Sequence, residues 1–120
     1  MTLRNYLRSY VSFKVKTISP FERELKRLVR KHRSLADEYG ELVQQLKLVP
    51  TIGTSIGQGC YKIRLKVASK GGGKSGGARV VTCIVAVQET VYLLSIYDKA
   101  EQATITDQRL AELLKLLPIT

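Results

Sequence analysis

Apolar positions change their period several times along the chain, and each change marks an element. Residues 1–11 place Leu3, Tyr6, Leu7 and Tyr10 at helical spacing, which fits a short amphipathic helix in an N-terminal extension. From Phe13 the stretch FKVKTI alternates: Phe13, Val15 and Thr17 share one face and lysines the other, which predicts a strand. Ser19-Pro20-Phe21-Glu22 then announces a helix. Ser19 is placed to cap it, Pro20 suits the first helical position and Glu22 completes a capping box. Its apolar stripe is Phe21, Leu25, Leu28 and Val29, and its opposite face carries Arg23, Lys26, Arg27, Arg30 and Lys31. His32, the only histidine, falls near the stripe, where a partly buried structural role is expected. Ser34 is placed to cap a second helix with the stripe Leu35, Tyr39, Leu42, Val43 and Leu46, weakened slightly by Gly40 and ended by Pro50.

The two helices are expected to pack as an antiparallel hairpin. Residues 50–59, PTIGTSIGQG, read as a loop. Three strands come next, at roughly 60–68, 78–88 and 91–97, the last two joined by a tight turn near Glu89-Thr90. Sequential hairpins make this part antiparallel. A final helix at about 107–117 carries Leu110, Leu113, Leu114 and Leu117. The expected fold class is therefore α+β. A small antiparallel, mixed-edge sheet of about four strands packs against an N-terminal helical hairpin and a C-terminal helix. Residues 12–120 form the single domain, preceded by the extension at 1–11.

Composition narrows the class. A chain of 120 residues has room for one small core, and 44% apolar residues suffice to build it. No apolar run approaches the ~20 residues of a membrane span. The start, MTLRNYLRSYV, is too polar for a secretory segment, so a cytoplasmic protein is expected. Cys60 and Cys83 lack metal-ligand spacing and fall in strand-like segments, where buried free thiols are the expectation. Lys plus Arg number 20 against 10 acids, a net charge of +10 that favours polyanionic partners such as nucleic acid, a ribosome or an acidic protein. The charge is also arranged. Lys62, Arg64, Lys66, Lys70, Lys74 and Arg79 succeed one another with no acid among them.

The stretch VASKGGGKSGGARV, residues 67–80, invites a phosphate-loop reading, but its spacing fails. Gly73-Lys74-Ser75 supplies the end of the motif, whereas five residues before Gly73 stands Ala68 in place of glycine. The next segment, ARVVTCIVAV, is β-branched and strand-like, so no helix N-terminus is available to hold a nucleotide phosphate. Two readings remain: a solvated hairpin loop, or lysines and Arg79 that meet a phosphate of RNA. In CYKIRLKV, Tyr61, Ile63, Leu65 and Val67 face one way, and Lys62, Arg64 and Lys66 the other. That cationic face is either a solvated exterior or a site. The loop and Arg79 extend it, and SIYDKAEQ adds Tyr97 and Lys99 near the rim. Lys, Arg and Tyr together suit phosphate contact and base stacking.

The order of elements, with FKVKTISPFERELKRLVRKHRSL, GCYKIRLKVASKGGGKSGGARVV and VYLLSIYDKAEQ, resembles the RelE/ParE toxin superfamily of bacterial toxin–antitoxin systems, most closely its RelE/HigB branch. The resemblance covers about residues 12 to 117. It implies a ribosome-dependent endoribonuclease that cuts mRNA at the decoding site without a cofactor. It also implies a small antitoxin partner, often a helix-turn-helix protein of HigA type, through which alone operator DNA would be contacted. Carried over residue by residue, the basic pair of the Y-K-I-[KR]-L strand corresponds to Lys62 and Arg64. The arginine after the glycine loop corresponds to Arg79. The Y-x-K segment corresponds to Tyr97 and Lys99, with Glu101 just after; Lys66, Lys70 and Lys74 are the expected RNA-binding lysines. One departure is that the tail segment QATITDQ lacks the aromatic residue used by RelE-type enzymes. Either Tyr97 takes over the stacking, or the site is built differently.

Residue types set the chemistry. A single histidine rules out a paired-histidine ribonuclease, and no acidic triad is placed for a metal. RNA can still be cut if its 2′-hydroxyl attacks the adjacent phosphate, which needs a base, charge stabilisation and an acid. Arg79 suits charge stabilisation through its planar fork. Lys62 is a candidate base if like charges from Arg64 and Lys66 lower its pKa from about 10.4. Tyr97 is placed to stack on a base or shuttle a proton. Two rivals stand beside this reading: a ParE-like inhibitor of DNA gyrase, and a non-catalytic basic module that binds RNA or the ribosome.

Overall fold

The computed structural model describes residues 12–118, so the helix expected over residues 1–11 lies outside the described residues, as do the side chains of Lys74 and Ser75. Five strands make one sheet: β1 (Lys14–Thr17), β2 (Thr54–Gly57), β3 (Cys60–Leu65), β4 (Ala78–Val85) and β5 (Thr90–Asp98). Their order is β1-β5-β4-β3-β2. β1 runs parallel to β5, and all other pairs are antiparallel. The parallel pair needs a long crossover, which α1 (Ser19–Lys31) and α2 (Leu35–Leu48) provide. Helix α3 (Asp107–Leu114) comes after β5. Of β5's residues only Ser95 is more than slightly exposed, because neighbours flank the strand on both edges and helices cover it.

The fold is α+β as the sequence predicts, with one strand more than the expected four. The extra strand, β2, lies inside the segment read as a loop. Its hairpin with β3 turns at Gly57-Gln58-Gly59, where all three residues have positive φ (89°, 56° and 74°). The capping box at α1 is also corrected. Ile18 occupies the cap position and Ser19 is already helical. Glu22 instead accepts a hydrogen bond from Thr17 Oγ1 at 2.9 Å. Ser34 does sit at the N-cap of α2, but its hydroxyl donates to Glu38 at 2.9 Å and accepts from the Ser69 amide at 3.0 Å rather than from an amide of the helix. Glu38 also accepts from the Ala68 amide at 2.8 Å, and Ser34 meets Ser69, so the chain after β3 is tied to the start of α2. Thr106 caps α3 through the Arg109 amide at 3.1 Å. That helix ends three residues earlier than expected, although Leu117 is still buried.

The glycine-rich stretch contains two unexpected helical turns, a 3-10 turn at Ala68–Lys70 and Gly73–Gly76, and then enters β4, so strand succeeds loop as the sequence predicts. Gly77 is required sterically, since a Cβ there would collide with the Leu65 carbonyl. The sheet has two different faces. On one, Phe21 and Leu28 of α1 and Leu35, Leu42 and Leu46 of α2 form the core. Period 2 places Asp98 on this face, where it meets His32. The other face holds the even-numbered residues of β3, and Lys62 there shares a cavity with Leu110 of α3. Leu110, Leu113 and Leu117 are the buried residues of the α3 region.

Candidate functional site

Strand register assembles the cationic face. Arg64 pairs with Arg79 across β3 and β4, and Arg79 pairs with Tyr97 across β4 and β5. Directly opposed residues project to the same face, so the three side chains form one transverse row. The next row is Lys62, Val81 and Ser95. The ladder bond from the Ile84 amide to the Gly59 carbonyl, 2.9 Å, fixes which pairs lack mutual backbone hydrogen bonds. Arg64 and Arg79 are such a pair, the type in which Cα atoms approach to ~4.5 Å and side chains stand closest. Like charges opposed in this way are unfavourable by themselves and become favourable around an anion. No described carboxylate forms an ion pair with Lys62, Arg64 or Lys66.

Exposure grades across the row. Arg64 and Lys66 are exposed and Lys62 is half-buried, whereas Arg79 retains 6% of its surface and Tyr97 3%. Arg79, although it follows directly on the glycine loop, is therefore buried. It is the second residue of β4 and has a strand on either side; its Nη1 donates to the Ala78 carbonyl at 3.2 Å. Tyr97 Oη is buried with no hydrogen-bond partner among the described residues. Leaving such a group unsatisfied costs about 1–3 kcal/mol, a penalty that a bound polar ligand would relieve. Lys62 lines a cavity of about 170 Å³ with Ile56, Thr104, Ile105, Asp107 and Leu110.

The remaining predicted residues separate. Lys99 stays at the rim, but its Nζ donates to the Ala103 carbonyl at 2.7 Å. Glu101 reaches the other way, accepting from Arg27 at 2.8 Å and Lys31 at 3.0 Å. Lys70, expected to bind RNA phosphate, is engaged within the protein. Its Nζ donates to the Gly76 carbonyl at 2.8 Å and pairs closely with Asp98, leaving its side chain only 12% exposed. This lysine braces the glycine loop instead. The cationic face therefore condenses to Lys62, Arg64, Lys66, Arg79 and Tyr97, with Lys99 beside them.

Residues 18–118 match the family described as the RelE toxin of the RelE/RelB toxin–antitoxin system. The chain belongs to this RelE toxin family. Two solved structures share the fold. One is E. coli toxin RelE in the free state, as a double arginine-to-alanine mutant, at 16% identity and a TM-score of 0.59, covering 87% of this chain and 96% of that one. The other is the RelBE2 toxin–antitoxin complex of Mycobacterium tuberculosis, at 18% identity and a TM-score of 0.52, covering 76% and 95%. Among the described residues of this RelE-family toxin, no helix is long and apolar enough to cross a membrane.

One charged cluster was not anticipated as a unit. Asp98, with a side chain 3% exposed, accepts from His32 Nε2 at 3.1 Å, from the Ala100 amide at 2.9 Å and from Lys70. Burial alone would push this carboxyl up. The hydrogen bonds from Lys70, the Ala100 amide and His32, with the charge of Lys70, outweigh it and hold the carboxyl at about 2. His32 thus has the partly buried structural role that its position predicts. The only signal in the sequence was an acid directly after the apolar run of β5. The cluster fixes the end of β5 against α1 and the glycine loop, and so holds Tyr97, the preceding residue, in its row.

Proposed function

We propose that this toxin is a ribosome-dependent mRNA endoribonuclease that inhibits translation in the cytoplasm, with its active site on the sheet face of Lys62, Arg64, Arg79 and Tyr97. The observation that carries the reading is the transverse Arg64–Arg79–Tyr97 row: two opposed guanidinium groups beside a buried, unsatisfied phenol. A phosphate at the row would neutralise the arginine pair and be gripped by planar donors. Lys62, as the base, takes the proton of the mRNA 2′-hydroxyl. The oxygen attacks phosphorus while the bond to the 5′-oxygen breaks, and that oxygen takes a proton from water, giving a 2′,3′-cyclic phosphate and a 5′-hydroxyl end. Arg64 and Arg79 stabilise the charge that develops on the phosphoryl oxygens. Tyr97 packs against the base or the leaving oxygen, Lys66 contacts backbone phosphate, and Lys99 extends the same field. No metal is needed, since cations from side chains do the electrostatic work.

This acid–base set is sparse, which suits an enzyme whose substrate is aligned for it. The ribosome would hold the mRNA in a reactive geometry, and positioning then supplies much of the rate. A cognate antitoxin is the second partner, of helix-turn-helix, HigA-like type, with operator DNA bound through it. The RelBE2 relative is a toxin–antitoxin complex, which supports an antitoxin protein as a partner, whatever its type.

Primer extension on cellular mRNA after brief expression tests the reading. Discrete cuts inside coding frames are expected. DNA damage without cuts would indicate a gyrase inhibitor, and neither effect would indicate a non-catalytic RNA or ribosome binder.

A further inference from the structure

Cys60 and Cys83 face each other directly across β3 and β4. Both are free and buried, as their strand positions predict. The bond from the Ile84 amide to the Gly59 carbonyl makes them a pair without mutual backbone hydrogen bonds. In that geometry Cα atoms lie ~4.5 Å apart, inside the ~4.4–6.8 Å that a disulfide spans. Both thiols point at one acceptor, the Gln58 carbonyl, at 3.7 Å and 3.9 Å. The tight Gly57-Gln58-Gly59 turn, with Gln58 at φ 56°, delivers that carbonyl to the pair. The two sulfurs also differ in access. Cys60 is fully buried, whereas Cys83 lines a surface cavity of about 480 Å³ with Gln58, Val87, Leu114 and Leu117.

We infer that Cys60 and Cys83 form a peroxide-responsive dithiol, a redox modification site that closes into a cross-strand disulfide between β3 and β4. Cys83 is the attacking sulfur. The hydrogen bond from Cys60 holds its thiol below the usual range against the effect of burial, and the same bond together with burial pushes Cys60 up. With 5% of Cys83 exposed, the oxidant must be small, and a peroxide fits. The Cys83 thiolate attacks one peroxide oxygen, the O–O bond breaks, and hydroxide leaves and is protonated to water. Cys83 is then a sulfenic acid. Cys60 sulfur attacks it, the S–S bond forms, and the departing hydroxide takes the Cys60 proton as a second water. Two electrons from two thiols thus reduce one peroxide to two waters. The Lys62–Val81 pair alone separates this site from Arg64–Arg79 on the same face, so the disulfide would fix the spacing of the strands that carry the cations. The inference stands apart from the nuclease reading, since it concerns thiol chemistry only.

The test treats the reduced, full-length chain with hydrogen peroxide. Titratable thiols should fall from two to none, the intact mass should drop by about 2 Da, and dithiothreitol should restore both. Peptide mapping should place the link between Cys60 and Cys83 within one chain. In Cys60→Ser, Cys83 should be trapped by dimedone as a sulfenic acid, at least about tenfold faster than Cys60 in Cys83→Ser. Both thiols surviving peroxide that oxidises free cysteine would overturn the inference, as would oxygen addition without the link, or links only between chains. If a serine variant fails to fold, the wild-type peptide map still decides.

Discussion

Arg79→Ala is expected to lower single-turnover mRNA cleavage on programmed ribosomes by on the order of 10²-fold or more, the scale seen when one donor to a developing oxyanion is removed. Arg79→Lys should recover only part of this, because lysine keeps the charge and loses the planar fork. Ribosome binding should fall far less than cutting. Since Arg79 is buried in a central strand, a thermal melt must accompany the assay. Arg64→Ala supplies the control. Arg64 is exposed, so its loss removes a phosphate ligand with little packing penalty, and cleavage should still drop by roughly tenfold or more. Wild-type cutting by Arg79→Ala would displace the site. So would a loss explained by unfolding while Arg64→Ala stays fully active.

Asp98→Ala should produce the largest loss of stability, about 3–5 kcal/mol, because it strands Lys70 and His32 in a mostly covered pocket. Urea unfolding measures this directly, and a loss under about 1 kcal/mol would show that the cluster is not a structural brace. The same carboxyl sets a pH dependence. Its folded pKa, about 2, lies below the unfolded value near 3.9, so the folded state holds fewer protons in that interval. The stabilisation, about 2–3 kcal/mol, is complete above pH 4–5 and disappears as pH falls through 2. The Asp98→Asn variant should lack this acid-side decline, which separates the carboxylate's contribution from general acid unfolding.

What the chain revealed in advance was local in origin. The stripes of α1 and α2, and the alternation of β3, depend on residues three, four or two apart, and these placed the core and the face carrying Lys62, Arg64 and Lys66. What was hidden depended on partners distant in sequence. Strand β2 is four residues long, and its identity rests on pairing with β3 across a turn of positive-φ residues. Arg79 looks like the end of a polar loop until register sets it between Arg64 and Tyr97. Lys70 resembles the other loop lysines, and its fate is decided by Asp98, 28 residues later. Period 2 says which face a side chain takes and is silent on what stands beside it across the sheet.

The central claim is that the ribosome completes an incomplete nuclease, and the most direct measurement compares one mRNA in two states. Purified toxin is mixed with the naked transcript, and separately with the same transcript programmed on 70S ribosomes, under single-turnover conditions. The account predicts near-inertness on naked RNA and cutting within the coding frame on the ribosome, with a 2′,3′-cyclic phosphate at the new end. Equal rates on free and ribosome-bound RNA would contradict it, because the Lys62–Arg64–Arg79–Tyr97 face would then be sufficient alone.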